Sequence, residues 1–76
     1  MKFAPTVVGT MLRTAISHHG YTATEVARQV GMSQSFISRV QSGREKLPVH
    51  YADDIQDLLP VLGTLDFKKK VLEQYY

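Results

Sequence analysis

Apolar positions recur at helical spacing along nearly the whole chain. Val7, Val8, Met11, Leu12, Ala15 and Ile16 follow the i, i+3, i+4 rhythm of one buried stripe. That stripe predicts a first helix from near Thr6, just after Pro5, to a stop at Gly20. Thr22-Ala23-Thr24-Glu25 has the spacing of a capping box, in which hydroxyl and carboxylate satisfy each other's free backbone donors. A second helix then runs to about Val30, with Val26, Ala27 and Val30 inward. Gly31 suits the left-handed conformation that ends a helix. Met32 is an apolar link, and Ser33 is the N-cap of a third helix running to Ser42, with Ile37 and Val40 inward and Gly43 as its stop. Arg44 to Pro48 reads as a loop. A fourth helix covers roughly His50 to Leu59, with Tyr51, Ile55, Leu58 and Leu59 as its apolar face. Asp53 and Asp54 lie in its first turn, where the helix dipole favours carboxylates. Leu59-Pro60 through Gly63 breaks the pattern, and a fifth helix spans about Leu65 to Tyr75. No alternating strand pattern, repeat or low-complexity tract appears. The expected fold is all-α, a compact bundle of about five short helices in a single domain over residues 1–76.

Length and composition sharpen this picture. Seventy-six residues hold one small core, and a chain of that size buries only about 60% of its unfolded surface. There is no cysteine, which removes disulfide staples, zinc fingers and thiol catalysis together. Stability is therefore expected from helix packing, a partner subunit, or both. No apolar run approaches the ~20 residues of a membrane span, so no membrane association is expected. The opening MKFAPTVVGTMLRT lacks the apolar stretch and cleavage site of a secretory signal, so the expected location is cytoplasmic. Charge is uneven. Residues 1–50 carry six Lys and Arg against two Glu, whereas residues 51–76 carry three Lys against five acids. A basic front suits an anionic partner approached from one side, although so modest an excess is equally compatible with ordinary surface charge.

The stretch from Thr22 to Ser42 carries the functional signal. Two short helices are joined by a turn centred on Gly31. Ala27 is small where the helices cross, Gly31 accepts positive φ, and Val26, Val30, Met32, Ile37 and Val40 are apolar as docking requires. This is a helix-turn-helix pattern over residues 22–42, whose second helix enters the DNA major groove. The outer face of that helix fits the same chemistry. Ser33, Gln34, Ser35, Ser38, Arg39 and Ser42 remain outside once the inward residues are removed, and they include four of the chain's five serines. Short hydroxyls, an amide and a guanidinium allow close approach to base edges. Gln34 can pair with adenine and Arg39 with guanine, while Ser33 and Ser35 can bond base or phosphate. No carboxylate lies between Arg28 and Arg44 to repel phosphate. Phosphate contacts are expected from Thr22 and Thr24 at the start of the second helix, from Arg28, Ser38 and Ser42, and from Arg44 and Lys46 in the loop. Phe36 is expected to cover the core edge rather than to reach a thymine methyl.

The run from Thr24 to Arg39, with Ser42-Gly43-Arg44-Glu45-Lys46-Leu47-Pro48 behind it, resembles the Cro/lambda-repressor type of helix-turn-helix regulators. The resemblance covers roughly Leu12 to Leu59. The small size and the Pro48 to Ile55 spacing are most similar to the Cro-like regulators of phages and prophages. It implies a lambda-repressor-like DNA-binding domain and places the base-reading positions on Ser33, Gln34, Ser35 and Arg39. The chain departs from the family at three positions. Ala23 stands where many members carry a phosphate-clamping glutamine, which leaves that contact to Thr22 or Thr24. Val40 and Gln41 replace residues that are often bulky and acidic.

His18, His19 and His50 near Asp53, Asp54 and Asp57 have no metal-ligand spacing, because adjacent helical residues point about 100° apart. No metal or cofactor is expected, and His18 or His19 suits a helix C-terminus. Lys68-Lys69-Lys70 reads as a solvated face. Ser17 and the third-helix serines lack the base that nucleophilic catalysis needs, so the chain is not expected to be an enzyme. In the segment 64–76, Phe67, Val71 and Tyr75, with Leu72, form a stripe that can pack on the core, which leaves Leu65 and Tyr76 exposed in a monomer. Leu65, Val71, Leu72, Tyr75 and Tyr76 are the candidate dimer interface. The expected function is a transcriptional regulator, most simply a repressor that binds a palindromic operator as a homodimer and occludes polymerase. Its control would come from concentration, dimerisation or a partner. The alternative is an antitoxin-like or adaptor module on the same fold, binding a toxin or another regulator and using DNA binding for autoregulation. A nonspecific architectural binder would call for a stronger basic excess.

Overall fold

Residues 4–75 are described by a computed structural model. They form five α-helices: α1 (Ala4–His18), α2 (Ala23–Val30), α3 (Gln34–Gln41), α4 (Ala52–Leu58) and α5 (Phe67–Glu73). Two 3-10 segments accompany them, Val49–Tyr51 before α4 and Pro60–Leu65 between α4 and α5. The described residues contain no strand, so the fold class is all-α.

Helix α1 is the long element, about 22 Å at 1.5 Å per residue, in a molecule with extents of 30 × 26 × 20 Å. It packs against α2, α3, α5 and the second 3-10 segment. Its stripe supplies the fully buried Val8 and Leu12. Ile37 of α3, Ile55 of α4, and Phe67 and Val71 of α5 close the same core. The crossing of α1 and α3 is tight because Gly9 faces it. A β-carbon there would lie 2.4 Å from the Val40 carbonyl oxygen and 2.6 Å from that of Gln41.

Capping sets the ends of α2 and α3. The Thr22 hydroxyl accepts from the Glu25 N–H, and the Glu25 carboxylate accepts from the Thr22 N–H at 2.9 Å. Gly31 adopts φ 80°, and the Met32 N–H closes on the Ala27 carbonyl at 2.8 Å. The Ser33 hydroxyl caps α3 by accepting from the Phe36 N–H at 3.1 Å.

Several boundaries differ from those the pattern predicts. Helix α1 begins at Ala4 rather than Thr6, because proline in a first turn forfeits no hydrogen bond. The fourth helix opens with a 3-10 turn, and its α-helical part begins at Ala52. The expected break at Pro60 to Gly63 is itself helical, a 3-10 segment with Pro60 at its start and Leu62 fully buried. The fifth helix begins at Phe67, not Leu65, because Asp66 takes the left-handed conformation at φ 56° and interrupts the chain there. Val71, placed in the candidate dimer interface, is fully buried in the protomer's own core. Its two β-branched methyls pack inward beside Phe67, four residues earlier on the same face.

The loop after α3 is anchored. Leu47 is fully buried, and its backbone is satisfied by a side chain from the C-terminal segment. The Gln74 amide accepts from the Leu47 N–H at 3.0 Å and donates to the Leu47 carbonyl at 3.0 Å. The same amide donates to the Val71 carbonyl at 2.9 Å. The Tyr75 hydroxyl donates to the Leu47 carbonyl at 2.8 Å.

Candidate nucleic-acid interface

Helix α3 turns Phe36, Ile37 and Val40 toward the protein and leaves Gln34, Ser35, Ser38 and Arg39 exposed. Those four fall within about 140° of helical arc, so the amide, the hydroxyls and the guanidinium share one face. Ser33 is exposed beside them and caps the helix with its oxygen, which leaves its hydroxyl hydrogen to donate elsewhere. Phe36 is half-buried, with its ring 6.5 Å from that of Tyr51. The Arg39 guanidinium lies 5.6 Å from the centre of the Phe36 ring. Phe36 thus covers the core edge and supports Arg39.

The C-terminal end of α3 closes in a Schellman motif. The Gly43 N–H donates to the Val40 carbonyl at 3.1 Å, and the Arg44 N–H donates to the Arg39 carbonyl at 3.0 Å. Gly43 takes φ 79° to allow this. The chain turns back, and a Glu45 carboxylate oxygen comes 3.1 Å from Arg39 Nε. The candidate face therefore carries a carboxylate that the gap between Arg28 and Arg44 does not announce. Ser42 is also placed differently from the phosphate contact expected of it. Its hydroxyl donates to the Arg39 carbonyl and accepts from Arg44 Nε, each at 3.0 Å. Both roles of that hydroxyl are taken within the protein.

At the start of α2, Thr22 is also placed differently from the phosphate contact expected of it. The Thr22 hydroxyl donates to the Glu25 carboxylate at 3.1 Å as well as accepting from the Glu25 N–H. A carboxylate already occupies this helix start, so Thr22 offers no side-chain donor to a phosphate. Thr24 and Arg28 are exposed. Arg44 is exposed as well, with its Nε held by Ser42. Lys46 is exposed, with its ammonium 5.3 Å from the centre of the Tyr75 ring.

Of the candidate dimer residues, Leu65 is 46% exposed as expected, whereas Leu72 and Tyr75, expected to pack on the core with Phe67 and Val71, are 42% and 46% exposed. Val49, which the sequence reading passed over, is 46% exposed. Tyr76 lies outside the described residues. Burial raises the Tyr75 phenol above its ordinary value of 10.0. Lys68, read as part of a solvated face, donates to Asp53 at 2.7 Å. That hydrogen bond, with the carboxylate's charge, raises its ammonium above 10.5.

The His18 and His19 rings meet edge-on at 5.0 Å, and His19 Nε2 accepts from the Val61 N–H at 3.2 Å. Among the described residues no group of three or more His, Asp or Glu side chains is placed to hold a metal ion. None of their helices is long and apolar enough to cross a membrane. Glu45, Gln74 and Gly9 are the residues that sequence reasoning missed. The signal for Glu45 was present in Ser42-Gly43, since a glycine-ended helix folds the following residues back on its last turn. Neither a family model nor a curated protein nor a solved structure matches this chain.

Proposed function

We propose that the chain is a sequence-specific, double-stranded DNA-binding transcriptional regulator of the helix-turn-helix kind, similar to the small Cro-like members of the Cro/lambda-repressor type. The observation that carries this reading is the exposed face of α3. Gln34, Ser35, Ser38 and Arg39 lie together on a helix capped at both ends and backed by a fully buried Ile37 and Val40. Such a face presents one amide and one guanidinium to adenine and guanine edges, with hydroxyls for bases or phosphates. Thr24, Arg28, Arg44 and Lys46 are the phosphate contacts, and backbone amides at the start of α3 add to them. The regulator acts as a twofold dimer on a palindromic operator and represses by occluding polymerase.

The test is fluorescence-anisotropy binding to duplex DNA from upstream of the chain's own gene, against scrambled duplex, at two salt concentrations. A preference of about a thousandfold supports a sequence-specific regulator. Equal and steeply salt-dependent binding to both duplexes marks a nonspecific binder. No binding at low salt ends the DNA reading. One observation favours a second reading. The exposed Leu72 and Tyr75 beside the C-terminus suit an antitoxin-like module that docks a partner protein. Co-purification with a neighbour-encoded protein would support it.

A further inference from the structure

The Arg39–Glu45 pair is built by the backbone. Three hydrogen bonds fold the end of α3 over itself: Gly43 N–H to Val40, Arg44 N–H to Arg39, and the Ser42 hydroxyl to Arg39. They bring Glu45 back to the turn that carries Arg39, at 3.1 Å from Nε, although the residues are six apart in sequence. The two side chains remain 44% and 41% exposed. An ion pair so exposed contributes little to folding, so stability does not account for the arrangement. Its consequence is geometric. A guanidinium offers two edges for bidentate pairing, the side edge that includes Nε and the end edge formed by the two terminal nitrogens. Glu45 takes Nε and so withdraws the side edge. The Phe36 ring, 5.6 Å from the guanidinium carbon, restricts its tilt. The end edge remains, with no hydrogen bond to it among the described residues.

We propose that Glu45 is a positioning residue that presents the end edge of Arg39 to a guanine and sharpens discrimination against other bases. It does so in two ways. It holds the guanidinium before DNA arrives, which lowers the ordering cost of the guanine contact. Its carboxylate also stands beside the phosphates and disfavours complexes in which Arg39 finds no guanine to offset that repulsion. The inference rests on the DNA-reading function proposed above.

The experiment starts with selection of binding sites by the full wild-type chain from a duplex pool with a randomised core. The selected duplex and a scrambled one are then titrated by anisotropy. Glu45→Gln keeps the shape and removes the charge. It is expected to bind the scrambled duplex about twofold to threefold tighter, through lost repulsion. The selected duplex should be bound about fivefold weaker or worse, as a guanidinium held only by a neutral amide oxygen gives up part of a bidentate guanine contact. Reselection should loosen the one position that Arg39→Ala also loosens. In an Arg39→Ala background, Glu45→Gln should tighten both duplexes alike. Glu45→Asp keeps the charge but falls short of Nε. It should match the wild type on scrambled DNA and lose discrimination on the selected duplex. Unchanged thermal melting of each variant shows that the fold is intact. If Glu45→Gln tightens both duplexes by the same factor in the wild-type background, Glu45 merely repels phosphate and the proposal is overturned. If the wild-type chain selects no sequence at all, the DNA reading itself fails, and the positioning role falls with it.

Discussion

Gln74 shows how a single side chain joins the C-terminal segment to the loop beneath the candidate interface. It is nearly buried and bonds both backbone groups of Leu47. Gln74→Met keeps the volume and leaves the buried Leu47 N–H without its partner, which should cost about 2 kcal/mol. Urea unfolding would show this as a lower midpoint at unchanged slope; a loss under about 0.5 kcal/mol would mean that water fills the role. Tyr75 bonds the same carbonyl, and its raised phenol gives a pH signature. The folded state favours the neutral phenol, so this stabilisation is full below the ordinary value of 10.0 and is lost as pH rises through the higher folded value. Between about pH 8 and pH 11 the wild type should therefore lose more stability than Tyr75→Phe. The Lys68 contribution is common to both proteins and cancels. On α3, Arg39→Ala should cost about 1–3 kcal/mol on a selected duplex and relax base choice at one position, whereas Lys46→Ala should weaken all sequences alike. Titration against single-base variants separates the two. An equal loss on every variant would remove Arg39 from the base readers. The outward polar set from Ser33 to Arg39 was legible in the sequence, because helical periodicity decides which side chains leave the core. The internal bonding of the Ser42 hydroxyl was not, because it depends on how the end of α3 folds back, and Glu45 was signalled only by the glycine that ends that helix.

At the scale of elements, capping chemistry marked most of the boundaries. The capping box at Thr22, the serine cap at Ser33 and the glycines at 31 and 43 each bound a helix as their residue types imply. The pattern failed from Pro60 to Asp66. A 3-10 segment repeats every three residues and buries only Leu62, so it leaves no stripe of period 3.6 to detect. Asp66 adds a left-handed residue where glycine would have signalled one. The approach of α1 to α3 was also hidden, since Gly9 sits within an ordinary apolar stripe and its neighbours come from 31 residues away at Val40. Gly9→Ala improves intrinsic helix propensity by about 1 kcal/mol. It also drives a β-carbon into two backbone carbonyls that no side-chain rotation relieves. Overpacking of this kind costs about 1–3 kcal/mol or more, so net destabilisation is expected and α3 should shift relative to α1. Thermal melting together with DNA titration would check both. A higher melting temperature would mean that the crossing has slack.

For the whole molecule, the apolar side chains left outside the core matter most. A core of this size encloses Leu12, Ile37, Leu47, Ile55, Leu62 and Phe67 completely, yet Val49, Leu65, Leu72 and Tyr75 stay 42–46% exposed. Leu72 and Tyr75 are three residues apart at the end of the chain and share a helical side. A twofold pairing through that side would bury each residue against its copy, as the proposed dimer on a palindromic operator requires. Val71 takes no part, since it belongs to the protomer's core. Leu72→Lys tests the pairing without touching that core. A lysine in the last turn of a helix is favoured by the dipole, so the fold should hold. Two ammonium groups brought together across a twofold axis should separate the protomers. Sedimentation equilibrium over a range of concentrations would then show a monomer where the wild type dimerises. On a palindromic duplex the variant should bind about a hundredfold more weakly, because linked binding of two half-sites is lost. The added positive charge acts in the opposite direction and strengthens attraction to phosphate, so a fall in affinity reports the loss of pairing. If the wild type sediments as a monomer at the concentrations that saturate its operator, the exposed face of α5 serves another partner and the dimer is excluded.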